Sequence, residues 1–347
     1  MNIDHEKLKR LVRSIFVAAG CKDDEAQRIG HYLIEANLVG HDSHGVIRVS
    51  TYIDFLRAGK VVPNQNIQIV FENEVIAIVE GGYGFGQTIG EQATKLGIEK
   101  SKKHGVSVVA LRNSGHLGRI GDWPLLAARS GIASLHFVNT SGAGILVAPF
   151  GGIERRLSAN PFAACVPVKD GSPILLDISC CTIAEGKLRV AFNKGVPVPA
   201  GCIIDAQGQP TTDPKVFYGD PPGAILSIAG HKGYGLGVIA EMLAGALAGG
   251  GASNPANAAR LGNGMLSIYM DPGFFQEETA FAAEVRRFVE WVKSSRKSEP
   301  DGQILMPGEI EERTKAQRLR DGIELDDNTW KALVDTALSL EVPLEID

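Results

Sequence analysis

The hydrophobic pattern of the chain changes its period twice, and these two changes limit the folds that it can adopt. From residue 4 to about residue 60, apolar residues recur every three or four positions, which predicts helices. From Ile67 the pattern alternates, and it continues in β-branched runs that predict strands. After Asp271 the helical spacing returns. The sequence therefore predicts an α/β protein with helices at both ends and strands in the middle.

Composition narrows the class of protein further. The 347 residues are 44% hydrophobic and 22% charged, which is typical of a globular protein long enough for two joined domains. The net charge of −5 indicates neither nucleic acid nor a membrane as a partner. The N-terminus has no signal-peptide pattern, the apolar run 236–247 is too short to cross a bilayer, and the five cysteines lack metal-ligand spacing. We expect a cytoplasmic protein with free thiols and no metal site.

The segment between Gly40 and Tyr52 is the first candidate for a functional site. A helix is predicted in this segment. His44, Arg48 and Tyr52 recur at every fourth position and would lie on nearly one face of it, with Ser43 just before the helix. An imidazole, a guanidinium and a phenol near a helix N-terminus suit a site that binds a carboxylate and moves a proton. The alternative is a capped surface helix with solvated polar residues.

The loop 112–121 is the second candidate. It follows the strand 106–111, and we interpret that strand, the helix 122–129 and the strand 132–138 as one βαβ unit. Ligands usually bind at the carboxyl ends of such strands, where His116 is titratable and Arg119 can meet a phosphate. A flexible surface loop is the alternative.

Two further segments carry candidate residues, and a third is interpreted as structural. Asp177 ends a predicted strand, where it can orient a histidine, bind a ribose hydroxyl or cap a helix that begins near Thr182. His231 and Lys232 open a glycine-rich helix that extends to about Gly249, and the lysine there can approach a phosphate. The glycine-rich stretch 81–90 fits a loose dinucleotide fingerprint. It follows an apparent hairpin rather than the first strand of a βαβ unit, which favours a structural turn.

Five motifs occur in a fixed order between about residue 5 and residue 335. They are Ser43-His44-Gly45-x-x-Arg48-x-x-x-Tyr52, Gly115-His116-Leu117-Gly118, Ser158-Ala159-Asn160-Pro161, His231-Lys232-Gly233-Tyr234-Gly235-Leu236, and Leu305-Met306-Pro307-Gly308-Glu309 with Arg313. The ordered set resembles the malate/L-lactate dehydrogenase family of NAD(P)-dependent oxidoreductases, which also has L-sulfolactate and cyclic-imine members. The resemblance implies an L-sulfolactate dehydrogenase-like, non-Rossmann fold with a mixed-sheet nucleotide-binding domain. It also implies a homodimer with composite active sites.

On this resemblance, we expect two domains and a defined set of site residues. Residues 1–65 and 272–347 would form a helical substrate and dimerisation domain, and 66–271 a strand-rich nicotinamide-binding domain. The implied catalytic residues are His44 as acid/base, Asp177 as its partner and His116 as a second histidine. Arg48 would bind the substrate carboxylate, with Ser43 and Tyr52 beside it. The implied cofactor contacts are Gly118, Arg119, Ile120, Ile178, Ser179, His231, Lys232, Glu309 and Arg313.

The expected reaction is hydride transfer between C4 of a nicotinamide and C2 of a small 2-hydroxy or 2-oxo acid. NAD(H) is the preferred expectation for the cofactor. NADP(H) stays open, because Asp177-Ile178-Ser179-Cys180-Cys181 departs from the Asp-x-Ala-Thr-Ser of many members. Three alternatives remain: a cyclic-imine reductase, a non-catalytic nucleotide-binding protein, and a metal-dependent hydrolase that uses His41, Asp42, His44 and His116.

Overall fold

The computed structural model describes residues 1–142, 144–254 and 260–344, and their secondary structure follows the predicted order of helices and strands. The described α-helices are α1 (His5–Ala18), α2 (Asp23–Leu38), α3 (Arg48–Arg57), α4 (Gly86–His104), α5 (Asp122–Arg129), α6 (Glu185–Lys194), α7 (His231–Ala240), α8 (Glu278–Lys293), α9 (Glu309–Asp321) and α10 (Asp327–Leu338). The described strands are β1 (Asn2–Ile3), β2 (Gln68–Glu72), β3 (Ile76–Glu80), β4 (Val106–Ser114), β5 (Ala133–Gly142), β6 (Pro161–Val166), β7 (Ile174–Ser179), β8 (Ile203–Ile204), β9 (Pro210–Thr211), β10 (Ala224–Ile225), β11 (Leu261–Met270) and β12 (Ile323–Glu324). Helix α7 continues as a π-helix, Glu241–Leu247.

A mixed seven-stranded sheet forms the centre, in the order β2-β3-β4-β11-β5-β6-β7. The hairpin β2–β3 is confirmed, but β3 also pairs in parallel with β4, so β3, α4 and β4 form a βαβ unit. The prediction that no such unit contains the glycine-rich stretch was therefore wrong. The predicted unit of β4, α5 and β5 needs a correction too. Those strands are parallel but not neighbours, because β11 lies between them and is antiparallel to both.

The glycines of the stretch 81–90 serve packing within the protein. A Cβ atom at Gly86 would lie 2.1 Å from the carbonyl oxygen of His116, and one at Gly90 would lie 2.7 Å from the Trp123 ring. Only glycine lets α4 approach the loop after β4 and the helix α5 this closely. These contacts agree with the interpretation as a structural turn.

The two ends of the chain share one hydrophobic cluster. It contains residues of α1, α2 and α3 together with Ile323, Leu333 and Val342 near the C-terminus, and β1 pairs with β12. Asp4 stands just before the first helical pattern, where an aspartate is a suitable N-cap. It does cap α1, because its carboxylate accepts hydrogen bonds from the backbone N–H groups of Glu6 and Lys7. The C-terminal segment therefore packs against the N-terminal helices in one core.

The helix after Gly45 begins later than predicted. α3 starts at Arg48, and His44 lies in a separate 3-10 turn, Asp42–His44. His44 is therefore not on the same helical stripe as Arg48 and Tyr52. Ile47, an apolar residue of this segment, is exposed. The 3-10 turn bends the chain so that His44 is presented by a loop.

The C-terminal helices differ in how they pack. α9 lies against α2, where Lys315 pairs with Glu35, and Arg318 binds Asp42 through two hydrogen bonds of 2.6 and 3.0 Å. No residue of α8 is buried, although its sequence has an apolar stripe. Among the described residues, no helix is long and apolar enough to span a membrane.

Candidate active site

His44 and Arg48 meet at the start of α3. The Nδ1 atom of His44 lies 3.1 Å from the hydroxyl oxygen of Ser43, and Arg48 Nε donates to the Ser43 carbonyl at 2.6 Å. No ion pair to Arg48 occurs among the described residues, and its side chain is half-buried. The remaining guanidinium N–H groups are thus available to an anion, as predicted for a carboxylate ligand.

His116 comes from the loop after β4 and is held by α3 and α4. The Tyr52 hydroxyl lies 2.7 Å from His116 Nδ1, and Gln87 Nε2 donates to the same hydroxyl at 3.2 Å. Because Gln87 donates to the hydroxyl oxygen, the single hydroxyl proton is free to be donated to Nδ1, and we assign His116 the tautomer that accepts it. His116 then carries its own proton on Nε2. In this tautomer His116 can donate a hydrogen bond from Nε2 to a ligand.

The two histidine rings stack, with centroids 5.6 Å apart and planes inclined by 11°. Burial, followed by the electrostatic effects of His116 and Arg48, lowers the pKa of His44 well below 6.5. Burial, with the charge of Arg48, lowers the pKa of His116 to about 3. Both rings are therefore neutral at neutral pH, and a neutral imidazole can accept a proton.

Arg119 and Asp177 lie together behind this pair. Arg119 is 3% exposed. Its Nη1 donates to Asp122 Oδ1 at 2.9 Å, and its Nε lies 3.5 Å from Asp177 Oδ2. Burial raises the pKa of Asp122 to about 7, against the opposing effect of Arg119. The structure thus places Arg119 inside the protein between two carboxyl groups.

Asp177 does not act as either a helix cap for α6 or a hydrogen-bond partner of His44. α6 begins at Glu185 and has no side-chain cap, so the alternative of capping there was wrong. The Asp177 carboxylate instead accepts from the backbone N–H of Gly121 at 2.9 Å, at the start of α5. Within the described chain, His44 and Asp177 share no hydrogen bond, and Arg119 is their common neighbour.

Most of the other predicted cofactor residues lie in three places: the loop after β4, the end of β7 and the first turn of α7. Gly118 and Ile120 are buried in the loop after β4, while Ile178 and Ser179 end β7, where the Ser179 hydroxyl donates to the Ala159 carbonyl at 2.8 Å. His231 and Lys232 are exposed in the first turn of α7, which has no side-chain cap. No hydrogen bond joins them to His44 or His116 in the part of the chain that the structure describes.

Glu309 and Arg313 open α9 next to β7. Glu309 pairs with Lys293 of α8 and accepts from the Met306 backbone N–H at 3.0 Å, while Arg313 binds Gln303. The same segment is joined to β7, because Leu175 N–H donates to the Pro307 carbonyl at 3.0 Å. This bond holds the start of α9 near the strand that contains Asp177.

Of the residues in the metal-hydrolase alternative, His44 and His116 stack on one another, but His41 and Asp42 have other partners. His41 faces Glu311 at 3.4 Å, and Asp42 is bound by Arg318, so both turn to α9. Among the residues that the structure describes, no group of three or more His, Cys, Asp or Glu side chains could hold a metal ion.

Sequence reasoning missed two residues of this site. Gln87, which orients Tyr52, lies in the stretch interpreted only as a turn, and Asp122, which binds Arg119, was assigned only as a helix start. The only sequence signal for Gln87 was a polar residue next to a glycine in this stretch. Nothing in the sequence separated Asp122 from an ordinary acidic residue in a first helical turn.

Stacked neutral histidines beside a free guanidinium define an acid–base site for an anionic substrate, and comparisons with known proteins agree. The family model described as malate/L-lactate dehydrogenase matches residues 3–334. Hydroxycarboxylate dehydrogenase B of Escherichia coli (strain K12) is 40% identical over 99% of this chain and 95% of its own length. L-lactate dehydrogenase of Cupriavidus necator is 36% identical, covering 99% of both chains. The solved structure of sulfolactate dehydrogenase from Methanocaldococcus jannaschii superposes with a TM-score of 0.87 at 35% identity, with 99% of both chains covered.

The chain belongs to the malate/L-lactate dehydrogenase family. It is therefore an oxidoreductase that interconverts a 2-hydroxycarboxylate and its 2-oxocarboxylate, and its mixed-sheet fold is that of the sulfolactate dehydrogenase structure.

Proposed function

We propose that the chain is an NAD(H)-dependent 2-hydroxycarboxylate dehydrogenase in which His44 moves the proton and Arg48 holds the substrate carboxylate. The observation that carries this proposal is the half-buried Arg48 guanidinium, free of ion pairs in the described chain, beside the stacked rings of His44 and His116. A carboxylate bound by the guanidinium fork would lie next to an imidazole that can take or return a proton.

The proton step follows from the charge state of His44. In the direction of oxidation, neutral His44 accepts the proton of the substrate hydroxyl as the hydride leaves C2. In the direction of reduction, the imidazolium of His44 donates that proton to the substrate oxygen. Because nearby positive charges lower the pKa of His44, the negative charge of a bound carboxylate would offset them and favour the imidazolium.

His116 has a different role from His44. Its Nδ1 accepts from Tyr52, so its Nε2–H donates, and with a pKa of about 3 it does not gain a proton at neutral pH. A fixed neutral donor can bind the substrate oxygen and stabilise the negative charge that develops on it. This arrangement assigns proton transfer to His44 and polarisation of the substrate oxygen to His116.

The residues present fit a nicotinamide cofactor, which when bound supplies or accepts the hydride at its C4. Exposed Lys232, in the first turn of a helix without a side-chain cap, is suited to a phosphate. We assign Gly118, Ile120, Ile178, Ser179, His231, Glu309 and Arg313 to the remaining contacts on the basis of family resemblance. Asp177 stays the proposed acid behind His44, acting through Arg119.

The protein is proposed to be a homodimer in the cytoplasm. α8 exposes Phe288 and Trp291 at 51% and 70%, an apolar surface that a second copy would cover. The five cysteines are free and buried, which is consistent with a reducing compartment. Sedimentation should give a dimer for the wild type and a smaller species for Trp291→Glu.

The reaction is tested by following cofactor oxidation with each of NADH and NADPH. The panel contains pyruvate, oxaloacetate, phenylpyruvate, 4-hydroxyphenylpyruvate and a cyclic imine, with and without EDTA. We expect turnover of a 2-oxo acid with NADH that EDTA does not change. Turnover of only the imine would support the reductase alternative. Tight NADH binding without any turnover would support a non-catalytic protein.

A further inference from the structure

Three buried ionisable side chains lie behind the histidine pair, and we call Asp122, Arg119 and Asp177 the charge triad. Their side chains are 4%, 1% and 10% exposed. Arg119 lies between the two carboxyl groups, bonded to Asp122 at 2.9 Å and 3.5 Å from Asp177. Buried ions are tolerated only when they are paired in this way.

The triad joins three separate elements of the fold. Arg119 lies in the loop after β4, Asp122 in the first turn of α5, and Asp177 near the end of β7. Gly121 adds a second link, since its N–H donates to Asp177. A Cβ atom at Gly121 would lie 2.6 Å from the Asp177 carboxylate, so the loop and the strand are in direct contact. The triad therefore fixes this loop against β7.

The same geometry makes Arg119 a poor ligand for a phosphate. The Arg119 side chain is 1% exposed, and its charge is already balanced by carboxyl groups on two sides. A phosphate that approached it would meet the negative charge of Asp177 as well. Lys232, by contrast, is exposed and has no ion pair in the described chain.

We propose that Arg119 is a positioning residue held by Asp122 and Asp177, and that it is not a ligand of the cofactor phosphates. The part of the inference that concerns turnover rests on the proposed function. In this arrangement Arg119 holds the loop that carries His116 in place and keeps a positive charge near His44.

Several charged groups lie near the triad and His44 and affect their pKa values. Arg119 faces Asp122, Asp177 and Glu311; Asp122 also faces Glu35; and His44 faces His116, Arg48, His41 and Arg119. The positive charge of Arg119 is one of the causes that lower the pKa of His44. Its removal should therefore raise the pKa of His44.

The test uses Arg119→Gln, with Arg129→Gln as the matched control. Arg129 is the last residue of α5 and is exposed, and its replacement by Gln removes the same charge. The readouts are the NADH dissociation constant, the kcat and KM for a 2-oxo acid, and the His44 pKa from histidine NMR. For Arg119→Gln we expect unchanged NADH affinity, a higher His44 pKa and a fall in kcat of about 10², because misplaced reacting groups cost about that much. Arg129→Gln should match the wild type.

Arg119→Lys covers the case in which Arg119→Gln does not fold. It keeps the charge but loses the fork that reaches both carboxyl groups, so we expect reduced kcat with unchanged NADH affinity. Weaker NADH binding in either variant, with kcat and the His44 pKa unchanged, would overturn the inference. A wild type without turnover whose His44 pKa still rises on Arg119→Gln would refute the proposed function and leave the positioning role standing.

Discussion

His116 and His136 have similar pKa values but opposite surroundings. Burial lowers the pKa of each to about 3, with a further effect of Arg48 on His116 alone. In the middle of β5, His136 is fully buried, with Ser134 at 3.0 Å from one ring nitrogen and Ser267 at 2.8 Å from the other. His116 is half-buried, and among the described residues it has a hydrogen bond at Nδ1 only.

The comparison teaches that a lowered pKa does not by itself identify a catalytic histidine. Both rings are neutral, but His136 has no nitrogen left for a substrate. His116 has a free Nε2–H, a stacked partner in His44 and a cation beside it. The free nitrogen and the nearby cation identify the site, while the pKa only gives the charge state.

The largest effect should come from replacing the proposed proton carrier. We expect His44→Gln to lower kcat by ~10²–10⁴ with an intact fold, because a general acid/base contributes about that factor. His136→Gln is the matched control, and once folded it should keep wild-type kcat. Steady-state kinetics and circular dichroism check both variants. Equal losses in the two would remove the distinction between the histidines.

The next effect concerns Arg48, whose charge reaches His116 but not His136. Arg48→Gln should lower kcat/KM by roughly 10–10², as expected for the loss of a charged hydrogen bond to the substrate. It should also raise the pKa of His116 and leave that of His136 unchanged, as followed by NMR. A substrate KM and a His116 pKa that both stay at the wild-type values would argue against this role for Arg48.

A smaller effect is expected for Tyr52→Phe, which removes only the hydroxyl that orients His116. Such a hydrogen bond is worth about 0.5–1.5 kcal/mol, so kcat should fall by roughly 2–10-fold. The fall should appear in kcat more than in KM, because the lost hydroxyl orients His116, while the proposed ligand of the substrate carboxylate is Arg48. Gln87→Leu should have a similar effect through the same hydroxyl. Wild-type kinetics in both would show that the tautomer of His116 is unimportant.

The last effect concerns stability rather than turnover, and it separates His136 from an exposed histidine. In the unfolded chain His136 binds a proton below about pH 6.5, whereas in the folded chain burial lowers its pKa to about 3. Stability should therefore fall as the pH drops through this range, by about 1.4 kcal/mol per pH unit for each such histidine. His136→Gln should flatten this acid dependence in urea unfolding, and replacement of exposed His104 should not.

The sequence predicted the parts of this molecule that depend on local pattern. Asp4 as a cap, α5 at residues 122–129 and the β2–β3 hairpin are set by spacing and turn residues, and all are present. The order of the sheet was not predictable in this way. Insertion of β11 between β4 and β5 pairs residues more than a hundred positions apart, and no local signal records it.

The site was predicted residue by residue, but its internal contacts were not. His44 and His116 could be singled out by residue type and motif, while their stacking depends on a 3-10 turn that the helical pattern hid. Arg119 was predicted to meet a phosphate because its loop follows the carboxyl end of a strand. Only the fold shows that Asp122 and Asp177 surround it. The assigned roles of these residues and the division into two domains stay predictions.

The most direct test of the central claim follows the transferred hydrogen. The enzyme is supplied with NADH deuterated at C4 and with the 2-oxo acid that it reduces best, and the product is examined by mass spectrometry and NMR. We expect deuterium at C2 of the 2-hydroxy acid, with little product from His44→Gln under the same conditions. A 2-hydroxy acid without deuterium at C2, or wild-type rates with His44→Gln, would contradict the account.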